Sequence, residues 1–430
     1  MKKSISVRVE RHAYIVKPQP LRIAHDEPYL PGMSNLNEAA NPVDDDEAWH
    51  PWRDEWPIRA DTIYLNHGSF GPTPKLVRDC QLDWQRQLAC QPMDFFVRKY
   101  EPAWLAARDR LAEFVGTAPD NLVFVENATT AMNVVASTFP LRREDQVLLT
   151  DHEYGAVFRI WRRACEHSPG AEVTTAKLPR TIESDEQIVD AIFSAATQQT
   201  RLLVVSHVTS PTAIILPVKR ICEEARRRGI SVCVDGPHAP AQVPLTLDEL
   251  PCDFYAASLH KWVSAPFGSG FLFVAPDWHD RVKTPMLSWG RISPQTPTTW
   301  WDEFVWPGTR DPSAYLATSS AIDLLEHRVG LSSFRARTHH LAQYARRQIT
   351  DLTGMEPPTP DSEQWYGSMV SLPLPPGDAA SLQKRLWQEH RIEVPIVEHN
   401  GQRSIRVSCH LYNRRADIDL LVQCLKPLLQ

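Results

Sequence analysis

From Ile63 onward, short runs of apolar and β-branched residues alternate with longer amphipathic stretches, and this alternation narrows the fold more than any other feature of the chain. The runs at 122–125, 146–149, 172–176, 202–206, 230–234, 254–257 and 271–274 read as strands. Most are separated by helical patterns at 129–137, 156–166, 185–196 and 218–228. Strands that are apolar along nearly their whole length are covered on both faces, whereas a sheet with one wet face alternates apolar and polar residues. The pattern predicts an α/β fold: a mostly parallel seven-stranded sheet between helices, binding ligands beyond the carboxyl ends of its strands.

After Gly308 the rhythm changes. A long helical region spans 313–352 with a break near Gly330 and ends at Pro357-Pro358-Thr359-Pro360. Strands at 368–372, 392–397 and 405–408 then alternate with helices at 378–390 and 414–428, which predicts a smaller α+β unit. The 430 residues exceed the length at which one core usually stops growing, about 250–300 residues. An N-terminal extension at 1–60, a large domain at 61–310 and a small C-terminal domain at 311–430 are therefore expected. The first 55 or so residues mix Pro, Asn, Asp and charge with little periodicity and read as a partly disordered arm.

An apolar share of 43%, a charged share of 23% and a net charge of -6 leave no basic field for nucleic acid or acidic membranes. The eight cysteines are scattered without a C-x-x-C pair, as in the reduced core of a cytoplasmic protein. Charge interrupts the start of the chain at Arg8 and Glu10, so no secretory signal is expected, and no apolar run is long enough to cross a bilayer.

Six features fall where such a fold gathers its chemistry. Lys261, in Ser258-Leu259-His260-Lys261 just past the run at 254–257, is either a loop lysine or an amine poised for Schiff-base chemistry with a carbonyl cofactor such as pyridoxal 5'-phosphate (PLP). Ser258 and His260 beside it would suit a phosphate. Asn127-Ala128-Thr129-Thr130 is a helix start that either receives an anion or simply caps the helix. Asp235 closes a buried strand and needs a cation, from a pyridinium nitrogen or a structural partner, unless it serves as a cap. Tyr154, in His152-Glu153-Tyr154, could stack on a flat cofactor or pack on core. The Gly-rich turn at 64–72 could line a mouth or be a structural loop. Arg406 sits inside an apolar strand and calls for a carboxylate from protein or substrate.

Other patterns are negative. There is no P-loop, no G-x-S-x-G elbow and no H-E-x-x-H, and Phe267-Gly268-Ser269-Gly270 lacks the third glycine of a dinucleotide fingerprint. His339-His340 lies in a charged helix and reads as solvated, so no metal site is expected. The Trp- and Pro-rich segment at 289–306 reads as an entrance wall or a dimer contact.

Taken in order, the pieces at 64–72, 127–130, 152–156, 206–210, 235–239, 258–261, 307–310 and 405–413 resemble the class V aminotransferase family of fold type I PLP enzymes, over roughly residues 60–428. The stretches at 66–71, 152–156 and 308–311 look most like its isopenicillin N epimerase group. The resemblance implies that Lys261 forms the internal aldimine, Asp235 pairs with the pyridine nitrogen, His238 reaches the phenolic oxygen and Tyr154 stacks on the ring. It also implies that Ala128, Thr129, Thr130, Ser258 and His260 hold the phosphate, with Thr309 arriving from the neighbouring subunit of a homodimer. Arg406 would bind a substrate α-carboxylate, with Asn66, His67 and Ser210 nearby.

The implied activity is epimerisation at Cα of an amino acid or amino-acid-bearing peptide, with Lys261 as base on one face and Tyr154 or His67 as donor on the other. A carbon–sulfur lyase acting on a cysteine conjugate is the alternative, ahead of a cysteine desulfurase or an aminotransferase. Desulfurases of this family carry a mobile nucleophilic cysteine, whereas 392–403 contains none and Cys409 falls inside the strand.

Overall fold

A computed structural model describes residues 42–291 and 298–429. Its strands, in chain order, are β1 (Ile63–Tyr64), β2 (Leu122–Val125), β3 (Gln146–Thr150), β4 (Glu172–Ala176), β5 (Thr200–Ser206), β6 (Ser231–Asp235), β7 (Phe254–Ser258), β8 (Gly270–Val274), β9 (Met369–Pro373), β10 (Ile392–Glu393), β11 (Ile396–His399) and β12 (Gln402–Ser408). Seven of them form the main sheet in the order β2-β8-β7-β6-β5-β3-β4. All neighbours are parallel except around β8, which runs antiparallel between β2 and β7. The seven runs of apolar sequence are these seven strands, and β2, β7 and β8 are buried at every position.

Helices Ala128–Thr138, Gly155–Cys165, Asp185–Ser194 and Val218–Arg227 follow β2, β3, β4 and β5. Their starts are set locally. The Asn127 side chain accepts the Thr130 N–H, and Ser184 and Gln187 form a capping box. Each helix buries one face, as Ile188, Ile192 and Phe193 do for the third. The parallel strand ends Val125, Thr150, Ser206, Asp235 and Ser258 consequently lie on one edge of the sheet.

The C-terminal strands form an antiparallel sheet in the order β11-β12-β9, against which helix Leu331–Thr353 packs. One continuous apolar core runs from the main sheet into this part of the chain. Two threads stitch them further: β1 pairs in parallel with β10, and Asn66 bridges Ser408. The helical region after 313 breaks where foreseen, at Gly330, whose φ of 81° favours glycine.

Several expectations are corrected. The single strand expected at 392–397 is two, β10 and β11, because Pro395 between them has no N–H to extend a ladder. The arm expected through residue 55 or so is, from residue 42, packed structure: Trp49, Trp52 and Trp56 are buried, and the Arg53 guanidinium donates to the Tyr412 carbonyl at 2.9 Å. Its earlier part, residues 1–41, lies outside the described residues. His339, expected in solvent, is buried with Nδ1 3.1 Å from the Tyr366 carbonyl oxygen. Part of the Trp-rich segment, 292–297, falls outside the described residues, while Trp301 is buried and Trp289 exposed. Among the described residues no helix is long and apolar enough to cross a membrane.

Candidate active site

A cavity of about 460 Å³ opens at the carboxyl edge of the main sheet, and Lys261, Asp235, His238, Tyr154 and Arg406 all line it. A larger groove of about 900 Å³ runs between helices Ala128–Thr138 and Gly155–Cys165, lined by surface residues such as Arg159 and Arg162. That groove is open to solvent and gathers none of the buried titratable groups, so the chemistry belongs to the smaller cavity.

Lys261 lies in the turn after β7, with Nζ 2.9 Å from His238 Nε2. Burial, helped by the Arg406 charge and opposed by Asp235, brings its ammonium pKa down to about 7. The Trp262 indole N–H donates to His238 Nδ1 at 3.3 Å. An indole N–H can only donate, so Nδ1 is the acceptor and the His238 proton sits on Nε2, facing the lysine. Burial first, then the charges of Lys261 and Arg406, hold His238 well below its ordinary pKa and therefore neutral.

Asp235 is the last residue of β6, in register with Ser206 and Ala256 on either side. Burial pushes its carboxyl up to about 6, against the pull of Lys261. Beside it, Glu153 is buried and fully engaged: it accepts from Thr150 Oγ1 at 2.7 Å, from Ser206 Oγ at 2.5 Å and from the Ser206 N–H at 3.1 Å. Burial nevertheless raises Glu153 to about 7, and the nearby Asp235 adds to the rise.

Arg406 projects from β12. It donates to the Ser210 carbonyl at 2.5 Å, to Ser210 Oγ at 3.2 Å and to Ser69 Oγ at 2.6 Å. Its Nε is buried without a partner among the described residues, and burial brings the guanidinium down to about 10. Tyr154 caps helix Gly155–Cys165 at the rim of the cavity, 54% exposed.

Another part of the cavity lining has the groups to receive an anion. The Ala128 N–H donates to Ser258 Oγ at 3.0 Å, and Thr129, Ser258 and His260 line the space at the start of helix Ala128–Thr138. His260 Nδ1 is buried and unpartnered among the described residues. Gly270 permits the close approach: a Cβ there would lie 2.8 Å from the Asn127 Cα.

Three expected site residues, His67, Asn66 and Thr130, stand elsewhere, and Thr309 is expected only from a neighbouring subunit. His67 is fully buried and turned away from the cavity; its Nε2–H donates to the Lys261 carbonyl at 2.9 Å, its Nδ1 lies 2.9 Å from the Tyr412 hydroxyl, and its ring stacks on His410 at 3.9 Å. It can position the lysine but does not reach a ligand. Asn66 is buried outside the lining, its amide 3.4 Å from Glu393 Oε1. Thr130 spends its N–H on the Asn127 cap, and Thr309 is exposed outside the cavity lining of its own chain. Conversely, Ser69, Ser206 and Trp262 belong to the site or its support; Ser69 and Ser206 lie within the stretches at 64–72 and 206–210, whereas Trp262 had no local sequence signal.

An amine with a lowered pKa, a buried carboxylate, an anion cradle and a guanidinium thus share one cavity. This donor set fits a flat cofactor that carries an aldehyde, a cationic ring nitrogen and a phosphate, together with a substrate carboxylate.

The aminotransferase class-V family model matches residues 96–421. The isopenicillin N epimerase of Amycolatopsis lactamdurans is 38% identical over 395 residues, covering 89% of this chain and 98% of that protein. A putative L-cysteine desulfhydrase of Oryza sativa subsp. japonica is 30% identical over 367 residues, covering 79% of this chain and 74% of its own length. Among solved structures, a C-DES variant with glycine linked to its PLP cofactor superposes with a TM-score of 0.76 at 21% identity, over 87% of this chain and 98% of that one, which establishes the shared fold.

Proposed function

The chain belongs to the aminotransferase class-V family, and on that premise we propose that it is a PLP enzyme working at Cα of an amino acid or amino-acid-bearing peptide, an epimerase of the isopenicillin N type. The observation that carries the reading is the meeting of Lys261, Asp235 and Arg406 on one cavity. The extended similarity to an isopenicillin N epimerase supports the reaction class. When bound, the cofactor supplies a carbonyl for amine exchange and an electron-accepting ring that acidifies the substrate Cα–H.

Asp235, ionised opposite a cationic ring nitrogen, holds that nitrogen protonated. His238 offers its Nε2–H to the phenolic oxygen. Thr129, Ser258, which already accepts the Ala128 N–H, and His260 would hold the phosphate, and in a homodimer Thr309 of the neighbouring subunit would complete that site. Arg406, oriented by Ser69 and Ser210, takes the substrate carboxylate. Lys261, with a pKa brought down to about 7, would take the Cα proton on its own face. Inversion needs a donor on the other face. Tyr154 at the rim fills that role, whereas His67 is directed at the Lys261 backbone instead.

The test is direct. The purified protein should show a visible cofactor band that Lys261→Ala lacks, and an active substrate should take up solvent deuterium at Cα without losing its side chain. An unchanged band in Lys261→Ala would overturn the assignment.

A second reading, carbon–sulfur lysis of a cysteine conjugate, is favoured by the desulfhydrase relative and would give pyruvate and ammonia instead. Persulfide chemistry has less support: among the described residues no cysteine lines the cavity, and burial pushes the Cys409 thiol up to about 12.

A further inference from the structure

Outside the cavity, Asp151, His152 and His399 bring a carboxylate and two imidazoles together, with one ligand atom of each inside a span of 4.8 Å. We infer that this cluster is a binding site for a divalent transition-metal ion of the zinc class. Asp151 and His152 follow β3, and His399 ends β11, so the ligands converge through the fold rather than through a sequence motif. This is why neighbouring residues alone predict no metal.

Two of the three ligand groups are held by outer partners. His152 Nδ1 lies 2.8 Å from Thr212 Oγ1, which leaves Nε2 for an ion, 3.8 Å from Asp151 Oδ1. The His152 and His399 rings meet edge to face with centroids 4.5 Å apart. Asp151 Oδ1 accepts the Leu178 N–H at 3.0 Å, and its Oδ2 accepts the Asn400 amide at 2.7 Å. Such outer partners fix ligand geometry in metal sites. Asn400 and Gly401, both at positive φ, form the tight turn from β11 to β12 and so fix where His399 ends up.

The chemistry of the set is equally specific. Two imidazoles and a carboxylate suit Zn²⁺ and its first-row neighbours and leave a position open for water. The Asn400 amide nitrogen, 3.2 Å from His399 Nε2, donates to that atom, so an ion that takes this lone pair displaces the amide. Bonds of about 2.0–2.2 Å require the ligand atoms to close slightly, to about 4 Å or less. The half-buried His399, at a hairpin turn, can supply that movement. An ion here would tie the end of β3 to the hairpin whose second strand carries Arg406.

Chelator-treated, tag-free holoenzyme should bind one Zn²⁺ per chain with micromolar or tighter Kd by calorimetry, and Co²⁺ should give visible bands at the same stoichiometry. His399→Ala, a change at a turn, should weaken binding at least about 30-fold, with His152→Ala confirming it, whereas the exposed His167→Ala should bind as the parent does. No binding tighter than millimolar would overturn the inference. So would equal binding by folded His399→Ala, which would also be the result if the ion were held by the cofactor.

Discussion

The Trp262 indole nitrogen stands 3.3 Å from His238 Nδ1, and the other nitrogen of that imidazole stands 2.9 Å from Lys261 Nζ. The indole can only donate, so it fixes the histidine proton on Nε2, and the lysine must meet that proton with its lone pair. Its pKa, brought down to about 7, leaves a large share of the Lys261 amine neutral near pH 7. One buried tryptophan therefore sets the protonation pattern of two groups that line the cavity.

Trp262→Phe keeps an aromatic ring but frees the tautomer. Loss of one buried hydrogen bond is worth about 1–2 kcal/mol, or roughly 5- to 30-fold in rate. The variant should lower kcat by that amount and shift the absorbance of the bound cofactor. A variant that loses only thermal stability, with kcat and spectrum intact, would show that the indole is structural alone.

Arg406 has its two terminal nitrogens held by Ser210 and Ser69, which aims a planar fork into the cavity. Lysine supplies the charge but not the fork. Arg406→Lys should cost about 1.5–3 kcal/mol of substrate binding, seen as a roughly 10- to 150-fold rise in KM. Ser69→Ala should raise KM less, because it removes one orienting partner. An unchanged KM in both would remove Arg406 from substrate recognition.

How much of this was legible in the sequence depends on what each residue's signal is made of. The main sheet was readable because its strands are buried on both faces and so carry continuous apolar runs. Lys261, Asp235 and Arg406 were readable because each breaks such a run with a charge. Helix Lys75–Cys90 was not: its apolar positions Leu76, Cys80, Trp84 and Leu88 are only partly buried among polar residues, and Val77 alone is fully buried. His67 stands beside glycines in a turn, and nothing local says that it faces a backbone carbonyl nearly two hundred residues onward. Trp262 and Glu153 likewise draw their roles from partners that only the folded sheet brings near.

Gly71 is where the Gly-rich turn meets the lysine loop. A Cβ at this position would lie 2.5 Å from the His260 carbonyl oxygen and 2.7 Å from both the Lys261 carbonyl oxygen and His67 Nε2. Two of these are backbone atoms and cannot swing aside. Gly71→Ala should therefore destabilise the protein by about 1–3 kcal/mol, as overpacking does, and weaken cofactor retention by displacing Lys261. Denaturation midpoints and cofactor content together check this, and parent-like values in both would refute the close packing.

Glu153 gives a pH dependence whose sign can be worked out. Its folded-state pKa of about 7 lies above the ordinary carboxyl value of 4.5. Between those values the folded chain keeps a proton that the unfolded chain has released, so this group's contribution to stability falls as pH rises through the window. The full contribution is present below about 4.5 and lost above about 7. Glu153→Gln cannot ionise, and its amide oxygen can still accept from Thr150 and the Ser206 N–H while its nitrogen donates to the Ser206 hydroxyl. At pH 8 the variant should be more stable than the parent by about 1–3 kcal/mol, one pKa unit being about 1.4 kcal/mol, and the advantage should shrink toward pH 5. Urea unfolding of both holoenzymes at the two pH values measures the difference, and an advantage that grows on acidification would mean that Glu153 is ionised in the native state.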